Sequence, residues 1–322
     1  MIIKFFNRLV KVIIFFKYFY VLKNYNWSKI FRNYDVPYDK IEIISNEISL
    51  LKELGIIINK NNYKLILHSY YLLCKMKNDG MNKLIIERYD DFSFIFIIGD
   101  LRLIITSREE IMIFYEIFYK GLYNFKLQNE VLVLDIGMNV GFTSLFLSTF
   151  PNIIEIYSFE PVPFTFKQAE NNFSLNEKYS KKIIRYNFGL SSKEYTTEIE
   201  FMQDFKGSMG IWGIPPYLQG RNGKIEKVNI HLKNIINILD DLSTKDYPMI
   251  LKIDCEGAEY QILNAIDQAS KFKKIKLIML EWHIKGPENI IQILTKNNFS
   301  LFSFYPLSIR HGMLYAVNNI IS

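Results

Sequence analysis

At 322 residues, 49% hydrophobic and 16% aromatic, the chain can bury one large core plus a smaller appended module, and it lacks the polar bias of a disordered protein. Its net charge of +6, from 39 basic and 33 acidic residues spread along the chain, gives no basic-aromatic patch, so nucleic acid is not an expected partner. Two cysteines, Cys74 and Cys255, cannot build a disulfide framework and point to the cytoplasm, and the histidines (68, 231, 283 and 311) lack metal-site spacing such as HExxH.

The N-terminus stands apart. Lys4, Arg8, Lys11, Lys17, Lys23, Lys29 and Arg32 all precede the first acidic residue, Asp35. On a helix Lys4, Asn7, Arg8 and Lys11 share one face, opposite Phe5, Leu9, Val12, Ile13 and Phe16. The uncharged run Val12–Phe16 is far short of the about twenty residues of a membrane span, and no signal-peptide cleavage site follows. Two uses fit this basic amphipathic helix: packing on the rest of the chain or a partner, or peripheral contact with the inner face of a membrane. Ile41–Leu54 and Tyr63–Lys77 also have helical spacing, so residues 1–90 read as a helical N-terminal module. Phe92–Thr106 reads as a hairpin turning at Gly99-Asp100, and Ser107 with Glu110 forms a capping box for a helix to Tyr119. Residues 91–322 then form the second domain.

VLVLDIGMNVGFTSLFLS, Val131–Ser148, has the pattern of a buried parallel strand, a small-residue turn and a helix. Gly137 and Gly141 let the backbone turn sharply beside a ligand. A GxGxxG dinucleotide turn would need glycine where Asn139 and Phe142 stand, which disfavours a nicotinamide- or flavin-dependent oxidoreductase. S-adenosylmethionine has no pyrophosphate and makes no such demand; Asp135 offers a carboxylate for its amino group, and the GxNxG turn offers a close-packed seat. A second strand, Ile154–Val162, brings Glu160 to its end, where a carboxylate accepts hydrogen bonds from ribose hydroxyls. A third strand over Ile183–Asn187 leads to Asn187 and Gly189, placed to line the adenine.

DIGMNVG, SFEPVPFTFKQAENNFSLN and LKIDCEGAEYQIL, in this order and spacing, resemble the FkbM family of S-adenosylmethionine-dependent O-methyltransferases over roughly residues 122–317. The most specific piece is KIDCEGAE, Lys252–Glu259. Met138 departs from the family, which usually has alanine there, and its bulk is expected to displace the turn slightly. The resemblance implies a class I, Rossmann-like α/β fold with a mostly parallel seven-stranded sheet and a closing antiparallel strand. It also implies methyl transfer to a hydroxyl, with a sugar or glycan precursor as the acceptor.

Strands over Ile250–Asp254 and Leu277–Trp282, a helix over Ile290–Lys296 and a hairpin of Ser300–Tyr305 with Leu314–Val317 complete the alternation. Lys252 and Asp254 share one strand face, as do Glu281 and His283. Asp254 or His283 would accept the acceptor's proton, and Lys252 would orient or neutralise the carboxylates. A divalent cation held by Asp254, Glu281 and His283 is compatible with the donors, though no spacing specifies it. Cys255, alternating with Asp254, should point away from the cleft, and Glu256 and Glu259 suit a helix N-terminus. The glycine-rich stretch Gln203–Lys224 suits a substrate mouth, with Trp212 and Tyr217 available to stack on a sugar. A non-catalytic scaffold with this fold is disfavoured by the intact Asp135, Glu160 and Asp254.

Overall fold

The basic N-terminus is helical: α1 (Ile2–Leu22) is followed by α2 (Tyr25–Asn33), whose first turn is capped by Asn24 accepting from Trp27 N at 3.1 Å. The computed structural model describes residues 2–81, 83–126, 128–208, 210–211, 213–214, 224–306 and 311–320. On α1, Phe15 meets the Tyr25 ring edge-on at 5.3 Å and Tyr18 donates its hydroxyl to Val36 O at 2.8 Å. The opposite side is open, with Ile13 and Phe16 each 61% exposed and Tyr20 83% exposed. Among the described residues, no helix is long and apolar enough to cross a membrane.

Where helical spacing predicts a helix over Ile41–Leu54, the structure has an antiparallel sheet of β1 (Ile41–Ile43), β2 (Ile48–Leu51) and β3 (Ile56–Asn59). Short strands joined by tight turns, one with Gly55 at φ +70°, bring apolar residues back every three or four positions and so imitate a helix. The β-branched isoleucines favour the strand reading. The second expected helix is split into α3 (Tyr63–Leu67) and α4 (Tyr70–Asn78). The hairpin forms as β5 (Phe94–Ile98) and β6 (Leu101–Ile105), with β4 (Ile85–Arg88) pairing alongside β5. Ser107 and Glu110 make the expected reciprocal cap on α5 (Arg108–Phe114), which continues as a π-helical turn over Tyr115–Tyr119. These elements make up one unit, Met1–Lys120.

The other unit, Gly121–Ser322, alternates strand and helix. Its elements are β7 (Val131–Ile136), α6 (Phe142–Ser148), β8 (Ile153–Phe159), α7 (Pro163–Ser174), α8 (Glu177–Ser180) and β9 (Ile183–Tyr186). A side sheet follows from β10 (Gly189–Ser191), β11 (Tyr195–Met202) and β12 (Ile225–Asn234). The chain continues through α9 (Ile235–Ser243), β13 (Met249–Ile253), α10 (Glu259–Gln268), β14 (Ile275–His283), α11 (Glu288–Lys296), β15 (Phe299–Pro306) and β16 (His311–Asn318). The main sheet runs β15-β16-β14-β13-β7-β8-β9, and β16 is antiparallel to both its neighbours. This is the Rossmann-like α/β architecture that the resemblance implies. The central strands β7 and β13 are buried at every residue, which is why they read as unbroken apolar runs apart from Asp135 and Lys252.

Candidate active site

The strand order reverses between β7 and β13, and the crevice beyond their carboxyl ends is where an open parallel sheet takes a ligand. Gly137, at φ +83°, passes so close to the end of β13 that a Cβ there would lie 1.7 Å from Asp254 O. Gly137 and Met138 both donate N–H to Phe159 O, at 3.1 and 2.9 Å, which ties the turn to the end of β8. The Met138 side chain is buried, and the turn keeps both bonds. Gly141, at φ +85°, has no room for a Cβ beside the Phe173 ring, and Asn172 steadies the same turn by donating to Val140 O at 2.8 Å.

Glu160 accepts from Asn139 N at 3.0 Å and from Val162 N at 2.9 Å. Burial pushes its carboxyl up to about 7 against the pull of those two amides. Asn139 itself sits at φ +52°, and its Oδ1 is buried with no hydrogen-bond partner. Gly137, Asn139, Glu160 and Gly189 line one cavity together with Asp254 and Glu256.

Asp135 does not line that cavity, contrary to the expected contact with a cofactor amino group. It is fully buried, accepting from Ser144 Oγ at 2.5 Å and standing 3.0 Å from Lys252 Nζ. Lys252 also donates to Gly137 O at 2.5 Å and lies 5.8 Å from the centre of the Tyr123 ring. Burial pulls this ammonium down, but Asp135 and Asp254 outweigh it and hold it above its usual range. The pair is thus a charged strut beneath the turn. Asn187 also departs from expectation: it is exposed and outside the lining, and its amide donates to Glu160 O at 2.9 Å, fastening the loop that carries Glu160. Gly189 does line the cavity, with Leu232 leaving no space for a Cβ.

Among the expected catalytic residues, only Asp254 faces the cavity; its side chain is 30% exposed. His283, 7% exposed, lies behind it among carboxylates: Nε2 is 3.6 Å from Glu256 Oε1 and 3.7 Å from Glu281 Oε1, while Nδ1 is 3.3 Å from Glu259 Oε1. Burial pulls the imidazole down, but Glu259, Glu256 and Asp254 outweigh it and raise it to about 10. His283 is not among the residues that line the cavity, whereas the sequence reading puts it there as an alternative proton acceptor. Glu259 is more than a helix-end charge. Fully buried, it accepts from Gly257 N at 2.7 Å and from His283 N at 2.8 Å. Cys255 is among the residues along the cavity, but its thiol donates to the buried Glu259 at 3.8 Å and packs against the core, and burial pushes it far up.

The β11–β12 connection, which the sequence reading takes as a substrate mouth, reaches this site through Lys206 and Gly210, residues that reading does not single out. A Cβ on Gly210 would lie 1.9 Å from Glu256 O, and Lys206, bonded to Gln168 Oε1 at 2.5 Å, joins the lining. The glycine spacing of that stretch was the available signal. Trp212 and Tyr217 lie outside the described residues.

Residues 135–301 match the family described as the methyltransferase FkbM domain. This chain belongs to that family. The FkbM match makes the protein a methyltransferase and spans the site from Asp135 through β14. Methyltransferase sdnD of Sordaria araneosa is 24% identical over 218 residues, 60% of this chain and 83% of that protein. The AMB antimetabolite synthetase AmbE of Pseudomonas aeruginosa is 26% identical over 205 residues, 54% of this chain but 9% of the synthetase. Among solved structures, methyltransferase FkbM from Methylobacillus flagellatus aligns with a TM-score of 0.42 at 13% identity, covering 63% of this chain and 47% of that one.

Proposed function

We propose that the protein is an S-adenosylmethionine-dependent O-methyltransferase acting on a hydroxyl of a sugar or glycan precursor. The observation that carries the cofactor reading is the pairing, in one cavity, of the unpartnered Asn139 Oδ1 with a Glu160 carboxylate held by two backbone amides. A ligand that brings an N–H donor and a ribose diol supplies what these acceptors lack. When bound, the cofactor supplies a methyl group on a sulfonium, open to in-line attack by oxygen. The protein's part is alignment and proton acceptance. Glu160 and Asn139 hold the nucleoside end, Gly137 and Gly189 admit it closely, and Asp254 takes the proton from the acceptor hydroxyl as the C–O bond forms and the C–S bond breaks. The sugar class rests on the family resemblance.

Calorimetric titration with S-adenosylmethionine and with NAD is the direct test of the cofactor. Binding of NAD alone overturns the reading, and binding of neither favours the scaffold alternative. Transfer of a labelled methyl group from the cofactor to a hydroxylated glycan pool should give an alkali-stable ether; label in an ester or an amine would refute O-methylation of a hydroxyl.

We further propose that α1 lies on an anionic membrane surface at the cytoplasmic face. Ile13, Phe16 and Tyr20 form an exposed stripe flanked by Lys17, an arrangement matched to acyl chains below acidic headgroups. Anionic vesicles should co-sediment with the full chain, less with I13D/F16D, and less for both in high salt. Equal recovery of the two chains would rule the surface out.

A further inference from the structure

We propose that Asp254, Glu256 and His283, with Glu281 beside them, bind one divalent cation at the wall of the cavity. One donor atom from each of the first three lies within 4.8 Å of the others. His283 is more than nine-tenths buried, its Nδ1 has no formed hydrogen bond, and the carboxylate oxygens facing its Nε2 stand at 3.6 and 3.7 Å, beyond hydrogen-bond reach. A buried imidazole nitrogen aimed at carboxylates too far away to bond leaves a gap of the kind a metal ion spans. Metal–ligand bonds of about 2.0–2.2 Å place neighbouring donors roughly 3 Å apart and opposite donors somewhat over 4 Å, so donors now within 4.8 Å of one another close the cage by moving together by up to about 2 Å.

The charge balance points the same way. Asp254, Glu256 and Glu281 bring three carboxylates to one place, and Lys252, the nearby ammonium, is 3.0 Å from Asp135 but 3.7 Å from Asp254. Glu259 fits the part of an orienting carboxylate: it holds the His283 backbone and stands 3.3 Å from Nδ1, which keeps Nε2 turned toward the cluster. Carboxylate oxygens with a single imidazole suit Mn²⁺ or Zn²⁺ better than Ca²⁺. Asp254 and Glu256 carry the site to the cavity surface. One Asp254 oxygen on the ion leaves the other for a proton. The acceptor class this favours, which rests on the methyl-transfer reading above, is a vicinal diol: two adjacent oxygens chelate the ion, and the ion lowers the pKa of the one to be methylated.

The test uses the purified full chain. Mn²⁺ is titrated by electron paramagnetic resonance and calorimetry, with and without S-adenosylhomocysteine. One saturable ion per chain is expected, weakened about tenfold or more in His283→Ala and in Glu256→Gln while S-adenosylhomocysteine binding persists in both. Absence of saturable Mn²⁺ binding in a wild-type chain that still binds S-adenosylhomocysteine overturns the site, as does equal Mn²⁺ affinity in wild type and both variants. Mn²⁺ binding without S-adenosylhomocysteine binding would support the ion site and sink the cofactor reading, so the two fail separately.

Discussion

On the β7–β8 side of the cavity, main-chain hydrogen bonds hold the inward-facing groups: Asn139 N and Val162 N fix the Glu160 carboxylate, and Phe159 O fixes the turn. On the β13–β14 side, charges hold charges: Lys252 sits against Asp135 and Asp254, and His283 sits among Glu256, Glu259 and Glu281. A wall fixed by backbone presents a preset shape to a ligand that arrives each cycle. A wall of buried ionic groups costs desolvation and holds only while each charge keeps its partner, which makes it suited to chemistry and sensitive to single substitutions.

The largest expected effect tests the strut that joins the walls. Lys252→Met leaves Asp135 as a fully buried, unpaired carboxylate and should cost about 3–5 kcal/mol in denaturant unfolding. Adding Asp135→Asn should recover part of that loss, because the orphaned charge goes with it. An unfolding midpoint unchanged by Lys252→Met would mean that the pair does not couple the walls.

Asp254→Asn comes next. Turnover should fall roughly a hundredfold while cofactor affinity stays near wild type. A matching loss of affinity would move Asp254 from the chemical wall to the binding wall.

Glu160→Gln probes the backbone-held wall and should act in two directions. Loss of a charged acceptor weakens cofactor binding by about 1.5–3 kcal/mol. Stability should respond the opposite way. The folded-state pKa of about 7 lies above the ordinary 4.5, so between those values the folded chain keeps a proton that the unfolded chain has released. Wild-type stability therefore declines as pH rises from about 4.5 to 7 and levels off above, a loss of up to roughly 3 kcal/mol that the glutamine variant should not show. Parallel melting curves of the two chains across that range would contradict the raised pKa.

The legibility of these regions follows the same division. DIGMNVG and the FEP end of the second strand disclosed the turn and Glu160, since φ > 0 glycines, a buried apolar run and a strand-ending carboxylate are local features that any chain must show to make this crossing. Asp135 stands on the strand where the sequence puts it, with its oxygens against Ser144 and Lys252. Nothing near it in the sequence shows that Lys252, 117 positions away, and Ser144 would occupy its oxygens. Asn187 likewise stood where the strand spacing put it, with its amide spent on the Glu160 loop. In the first unit, Ile41–Leu54 shows the opposite failure: turns between short strands copy helical spacing, and only pairing across the sheet separates the two.

The sequence by itself determined the strand and helix order of the second unit, the glycine turn, Glu160 and membership of a methyltransferase family, because each is written in the spacing of neighbouring residues. Tertiary structure alone decided which polar side chains face the cavity. It buried Asp135 and Lys252 as a pair, turned Glu259 onto His283, and brought Glu256 and Gly210 together. Those outcomes depend on which side chains from distant strands meet in a water-poor interior, where an unpaired charge is too costly to persist.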